Sequence, residues 1–110
     1  MVGSKKYMAP EILKKRPYDT KVDVWSATVT IFVLLTGQMP FRGKTTESLL
    51  TSIKSKELEQ DLKDNRYLSK NAKDFLLKGL QCDPQKRASS SELLTHPWLQ
   101  NARNPMPCHS

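Results

Sequence analysis

The chain has 110 residues, of which 26% are charged and 37% hydrophobic, a composition typical of a small globular domain or a piece of one and not of a disordered segment. Its 18 Lys and Arg residues outnumber its 11 Asp and Glu residues, but the positive charge is spread along the sequence, so composition does not favour nucleic-acid binding. Only Lys14, Lys15 and Arg16 form a basic run, which we interpret as a solvated surface patch and not as a nuclear-import signal.

The first predicted element is a short helix around Ala9, Pro10 and Glu11. Proline suits the first turn of a helix, where its missing amide hydrogen is harmless. Residues 14–19 follow as a basic surface turn that contains Pro17.

The longest apolar stretch runs from Val29 to Leu35 and is interrupted only by Thr30. Its β-branched residues make a buried strand the competing interpretation. We predict a helix because Thr20 can act as its N-cap, Gly37 can close its C-terminus, and the run exceeds the usual length of a strand. The stretch is too short to cross a bilayer, which requires roughly 20 apolar residues. Since it is apolar on more than one side, this helix is expected at the centre of the domain.

Three further helices are predicted where a capping residue precedes apolar residues at helical spacing. They begin at Thr45 or Thr46, at Ser69 (ending at Gln81), and at Ser89 or Ser90 (ending before His96 and Pro97). We interpret the charge-rich residues 54–66 as a loop with a frayed helical extension, and residues 101–110 as a flexible tail. No segment alternates over a span long enough to indicate a sheet, so the predicted fold class is all-α.

No residue pattern by itself specifies a catalytic or metal site. A Gly-rich phosphate loop, HExxH and GxSxG are all absent from the sequence. Cys82 and Cys108 lack CxxC spacing and a nearby His pair, so we expect neither a disulfide nor a zinc site. We expect both thiols to be reduced and the protein to lie in the cytoplasm or nucleus. His96 is interpreted as a packing or helix-capping residue and not as a general base. Glu11 and Arg87 are each expected to be half-buried and to need a partner, which the sequence does not identify.

Four motifs together resemble, in order and spacing, the C-terminal lobe of eukaryotic protein kinases. They are YMAPEIL at 7–13, DVWS at 23–26, LLTGQMPF at 34–41 and DPQKRASSSELLTHPWL at 83–99. The stretch AKDFLLKGL and the HPWL at the end are most similar to the calcium/calmodulin-dependent group, including calcium-dependent protein kinases. The resemblance implies a partial helical kinase lobe over residues 1–100. It also implies a parent reaction in which the γ-phosphate of ATP is transferred to a protein Ser or Thr.

The resemblance assigns substrate contacts to the first residues of the chain. Gly3, Ser4 and Tyr7 match the end of the activation segment, which receives the substrate residue that follows the phosphorylated one. Ser4 matches the Ser or Thr that lies near the catalytic aspartate in Ser/Thr kinases. A substrate with a hydroxyl amino acid is therefore expected.

The resemblance also assigns supporting roles. Glu11 and Arg87 match a buried ion pair that ties the activation segment to the helical lobe. Asp23, next to Trp25 at the head of the central helix, matches the residue that holds the backbone of the catalytic loop. Thr28 departs from the family, which usually has glycine there, so we expect slightly different packing at that position.

The 110 residues do not include the motifs with which kinases bind ATP and transfer phosphate. We therefore expect that this chain by itself is inactive and holds no cofactor or metal, although the family uses ATP and Mg²⁺. The expected partner is a protein substrate or a kinase, with no nucleic acid and no membrane. The central helix is expected to expose an apolar face that promotes association, because the kinase elements that would cover it are not in this sequence. The alternatives are a non-catalytic interaction module and a truncated product without a separate role.

Overall fold

The computed structural model of the chain describes residues 5–103, with side chains described over residues 5–100. Its described part contains helices joined by turns and no strand, so the all-α prediction is confirmed. The helices are α1 (Pro10–Leu13), α2 (Lys21–Thr36), α3 (Thr46–Lys54), α4 (Glu57–Asp64), α5 (Lys70–Gly79), α6 (Ser90–Leu94) and α7 (Pro97–Arg103). Among these, none has both the length and the hydropathy needed to cross a bilayer.

The central helix α2 begins and ends at the predicted residues, although its first turn is capped differently from the prediction. Thr20 occupies the N-cap position, but its side chain makes no capping hydrogen bond. The amide of Lys21 instead donates to Oδ1 of Asp19 at 2.9 Å. At the other end Gly37 adopts the left-handed conformation, with φ of 73°, and its amide donates to the carbonyl of Val33. Glycine suits this position because it has no Cβ to oppose a positive φ.

The apolar surface of α2 is buried along most of the helix and exposed at its C-terminal end. Trp25 and Val29 are fully buried, whereas Leu34 is 79% exposed and Leu35 is 41% exposed. The exposed apolar face expected from the sequence is thus confined, among large side chains of α2, to these two leucines. Whether they promote association stays a prediction.

Helix α2 packs closely against α5 at Thr28 and Gly79. Thr28 is fully buried, and its hydroxyl donates to the carbonyl of Val24 at 2.7 Å. A Cβ added at Gly79 would lie 2.7 Å from Cγ2 and 2.8 Å from Cβ of Thr28, closer than such atoms approach. The absence of a side chain at Gly79 therefore makes room for the threonine that departs from the kinase pattern.

The predicted N-caps of the later helices are present. The side chains of Thr45, Ser69 and Ser89 each accept a hydrogen bond from the amide three residues further along, at 3.0 to 3.1 Å. In α6 the carboxylate of Glu92 completes a capping box by accepting from the amide of Ser89. These bonds satisfy amides that have no partner inside their own helix.

Two predicted boundaries were wrong. Residues 57–64, within the segment predicted as a loop with a frayed helical extension, form the separate helix α4, which buries Leu58 and Leu62. Helix α5 ends at Gly79, two residues before the predicted Gln81. Helix α6 ends at Leu94, before His96 and Pro97 as predicted, and Pro97 is also the first residue of α7. Residues 101–103 belong to α7, and residues 104–110 lie outside the described residues. Proline suits a first helical turn as well as it ends a preceding helix.

Candidate functional site

The geometry around α1 centres on an ion pair between Glu11 and Arg87, which are 76 residues apart in the sequence. Nη1 of Arg87 lies 2.8 Å from Oε2 of Glu11, and Nη2 lies 2.9 Å from Oε1. Both side chains are buried. Two parallel bonds between a guanidinium and a carboxylate fix orientation as well as distance. The pair therefore locks α1 against the loop that precedes α6.

The remaining hydrogens of Arg87 bind three backbone carbonyls in two further parts of the chain. Nη1 also donates to the carbonyl of Lys21 at 2.9 Å, Nε donates to that of Gln81 at 2.9 Å, and Nη2 donates to that of Cys82 at 3.3 Å. With the two bonds to Glu11, all five N–H groups of the guanidinium have acceptors. Arg87 is thus buried with all of its donors satisfied, and it connects α1, the start of α2 and the segment that follows α5.

Trp25 covers the other side of this ion pair. Its ring centroid lies 5.0 Å from the guanidinium carbon of Arg87, within the range of a cation–π interaction. The ring also stacks on Phe41, with centroids 5.3 Å apart and planes 13° from parallel. Its Nε1 is buried and has no hydrogen-bond partner among the described residues. The position of Trp25 is therefore fixed by stacking and not by a polar contact.

The carboxyl group of Glu11 is held in its charged form. Burial raises its pKa, but the hydrogen bonds and the positive charge of Arg87 outweigh burial and leave the pKa below its ordinary value. At neutral pH the ion pair is therefore fully formed.

The segment before α1 is anchored at its predicted substrate-contacting residue. The hydroxyl of Ser26 donates to the backbone carbonyl of Tyr7 at 2.7 Å, and the partly buried Tyr7 packs against the main apolar cluster. The following Ala9 is fully buried. Gly3 and Ser4, the other two predicted contacts, lie outside the described residues. Apart from its place in the DVWS motif, no sequence signal pointed to Ser26.

Asp23 lies on the exposed side of the first turn of α2. No hydrogen bond or ion pair involves its carboxylate within the described part of the chain. Its predicted role of holding a catalytic loop stays a prediction. Nor do the described residues bring together three or more His, Cys, Asp or Glu side chains that could hold a metal ion.

His96 belongs to a second polar cluster. It is 5% exposed, and its Nε2 lies 2.7 Å from Oδ2 of Asp74. Its Nδ1 accepts from the amide of Trp98 at 3.0 Å, so in the neutral ring Nε2 carries the hydrogen and donates to Asp74. The hydrogen bond from His96 lowers the pKa of Asp74. These contacts join α5 to the start of α7, which is a structural role.

Comparison with known proteins identifies the class to which this fold and site belong. Residues 1–99 match the model of the protein kinase domain family, and the chain therefore belongs to that family. The resemblance drawn from the four motifs is thereby confirmed.

The similar curated proteins are calcium-dependent protein kinases. Calcium-dependent protein kinase 3 of Oryza sativa subsp. japonica is 40% identical over 103 residues, which cover 94% of this chain and 18% of the relative. Calcium-dependent protein kinase 32 of Arabidopsis thaliana is 42% identical over 103 residues, covering 94% and 19%. The chain thus spans about a fifth of the length of these relatives.

Solved structures of kinases share the fold. The Rad53 kinase domain with SCD2 superposes with a TM-score of 0.71 at 32% identity, covering 92% of this chain and 39% of that one. The twitchin kinase region from C. elegans gives a TM-score of 0.70 at 30% identity, covering 90% and 18%. The partial kinase lobe predicted from the sequence is confirmed.

Proposed function

We propose that this chain is the substrate-docking part of the helical lobe of a protein Ser/Thr kinase. The parent reaction is transfer of the γ-phosphate of ATP to a Ser or Thr of a protein. The observation that carries the proposal is the bidentate, fully buried pair of Glu11 and Arg87, which fixes the segment containing Tyr7 to the helices. Membership of the protein kinase family and similarity to calcium-dependent protein kinases support it.

The geometry is suited to holding a peptide in place. The segment from residue 5 to residue 9 is fixed at one end by the ion pair and in its middle by the bond from Ser26 to Tyr7. A docking surface must be held rigidly, because small errors in the position of a substrate cost large factors in rate. These residues would position the substrate segment beside the phosphorylated residue.

The chain's own part in the reaction is positioning. Phosphoryl transfer requires a loop over the ATP phosphates, a strand lysine, catalytic-loop Asp and Asn residues and a metal-binding Asp. None of these motifs is in the 110 residues. ATP and Mg²⁺ would be held by a polypeptide region that contains them, and we expect no phosphate transfer by the 110-residue chain alone.

A chimeric kinase tests this function. The aligned region of Oryza sativa calcium-dependent protein kinase 3 is replaced by this chain, and transfer of radiolabelled phosphate to matched Ser, Thr and Tyr peptides is measured. We expect the chimera to phosphorylate the Ser and Thr peptides and the free chain to phosphorylate none. Glu11→Ala in the chimera should abolish activity, whereas Glu47→Ala, at an exposed position, should not. Turnover by the pure chain, or a folded chimera active only on Tyr, would refute the proposal.

A non-catalytic interaction module is the second candidate. The observation that favours it is the adjacent exposure of Leu34 and Leu35 on α2. In this case the 110-residue chain should bind a purified kinase or its substrate without any added catalytic region, as measured by isothermal titration calorimetry. Arg87→Ala should abolish that binding, because removing one partner of a buried ion pair costs about 3 to 5 kcal/mol of folding free energy. Unchanged binding by Arg87→Ala would exclude the folded lobe as the binding unit.

A further inference from the structure

An open groove of about 860 Å³ lies between the C-terminal end of α2 and helices α3 and α4. Phe32 and Leu35 contribute to its apolar lining, and Tyr67 stands at its edge. Leu35 is 41% exposed and Tyr67 is 95% exposed. Large apolar and aromatic side chains that are open to solvent are typical anchor points of protein interfaces.

One side of the groove is acidic. Glu57, Asp61 and Asp64 line it and follow one another at spacings of four and three residues, which places them along one side of α4. Asp64 accepts a hydrogen bond from Gln60 at 3.1 Å. Within the described residues these three carboxylates form no ion pair with a basic side chain. They are therefore available to a partner.

The sign of this charge is opposite to that of the whole chain. The sequence carries a formal net charge of +7, yet three acidic residues line the groove against a single basic one, Arg42, among its described lining residues. A concave surface with charge of one sign selects partners of the other sign and raises their rate of association. Phosphate-rich nucleic acid and anionic lipid would be repelled by these carboxylates.

We propose that this groove binds a basic, amphipathic segment of a partner protein. Lys or Arg side chains of the segment pair with Glu57, Asp61 and Asp64, while an apolar side chain packs on Leu35 and Tyr67. The occupant follows from charge complementarity combined with the exposed anchors. The inference does not depend on whether the chain takes part in phosphate transfer.

Fluorescence anisotropy with the 110-residue chain tests the charge. The probe is a labelled helical peptide with lysines at i, i+4 and i+7 and leucines beside them, and its matched control has glutamate at the three lysine positions. We expect the lysine peptide to bind and the glutamate peptide not to bind. Glu57→Gln/Asp61→Asn should weaken binding about tenfold, at roughly threefold per exposed ion pair. Glu47→Gln/Glu59→Gln removes the same charge from positions outside the groove lining and should leave the affinity nearly unchanged.

A second pair of variants tests the apolar anchor. Leu35→Ala should weaken the lysine peptide several-fold, whereas Leu34→Ala, at the neighbouring exposed leucine outside the groove lining, should not. Thermal melts by circular dichroism verify that each variant is folded. If Glu57→Gln/Asp61→Asn and Glu47→Gln/Glu59→Gln weaken peptide binding equally, the attraction does not depend on the groove and the proposal is overturned. Equal weakening by Leu35→Ala and Leu34→Ala would overturn it in the same way. A dimer in light scattering that Glu57→Gln/Asp61→Asn abolishes, with no peptide binding, would make a second copy the occupant and would also overturn it.

Discussion

The contact between Thr28 and Gly79 predicts that one substitution, Gly79→Ala, will have opposite effects in two backgrounds. In the native chain the new Cβ would lie within 2.8 Å of both Cγ2 and Cβ of Thr28. Thr28 cannot simply rotate away, because its hydroxyl is bonded to the carbonyl of Val24 and its side chain is fully buried. The α2–α5 packing must therefore shift to accept the methyl group.

The magnitude follows from two separate effects. Overpacking a close-packed site costs about 1 to 3 kcal/mol of the free energy of unfolding. Replacing glycine by alanine in a helix is otherwise favourable by about 1 kcal/mol at most, and less at the last residue of α5. In the Thr28→Gly background the three nearest atoms are gone, so the favourable effect should prevail. The favourable effect is common to both backgrounds and cancels in the cycle, so the coupling between the two positions should be about 1 to 3 kcal/mol.

Urea unfolding, followed by far-ultraviolet circular dichroism, measures the four chains of this cycle. Gly79→Ala should lower the unfolding free energy in the native background and raise it in Thr28→Gly. Thr28→Ala provides an intermediate control, because its Cβ keeps the 2.8 Å contact while the contacts with Oγ1 and Cγ2 are removed. A coupling free energy below about 0.5 kcal/mol would show that the helices separate freely and would refute the reasoning.

Three further predictions concern the polar contacts. Arg87→Ala should lower the unfolding free energy at pH 7 by about 3 to 5 kcal/mol in urea titrations, since it leaves the Glu11 carboxylate buried without its partner; a loss under about 1 kcal/mol would contradict this. Nitrogen-15 NMR of the neutral form of His96 should show hydrogen on Nε2, because Nδ1 accepts from Trp98; hydrogen on Nδ1 would contradict the hydrogen-bond assignment. Acid should destabilise the fold: burial raises the pKa of Glu11 but Arg87 lowers it further, so the stabilisation is present above the ordinary value of 4.5 and is lost as the pH falls through the lowered pKa. Between pH 7 and pH 3 the Glu11→Gln variant should lose less unfolding free energy than the native chain. An identical loss in the two chains would exclude Glu11 as the source of the acid destabilisation.

Much of the helical architecture could be predicted from local sequence signals. Capping residues and apolar spacing predicted α3, α5 and α6, and Gly37 predicted the end of α2. Helix α4 was missed because Leu58 and Leu62 are its only buried residues, too few to establish a helical period among so many charges. It depends on packing those two leucines against the rest of the chain, as short helices generally do.

The contacts of the candidate site could be predicted less well from local sequence signals. Glu11 and Arg87 could each be predicted to need a partner, but 76 residues separate them, so only the kinase resemblance paired them. The other three hydrogen bonds of Arg87, and the bond from Ser26 to Tyr7, depend on backbone carbonyls whose positions the sequence does not specify. The acidic groove was not predicted because one of its walls is α4.

The arrangement of the two apolar clusters explains why α2 has apolar residues on several sides. Trp25 belongs to the larger cluster, together with residues of α1, α3 and α4, whereas its neighbour Val24 belongs to a smaller cluster with Phe75 of α5 and Leu93 of α6. Successive helical residues point about 100° apart, so one helix between two clusters needs apolar side chains in both directions. The first half of α2 is therefore buried by this chain's own helices. Val29 and Phe32 in its second half are also buried, and the large apolar side chains that α2 exposes are Leu34 and Leu35 at its C-terminal end, where we expect any association through α2.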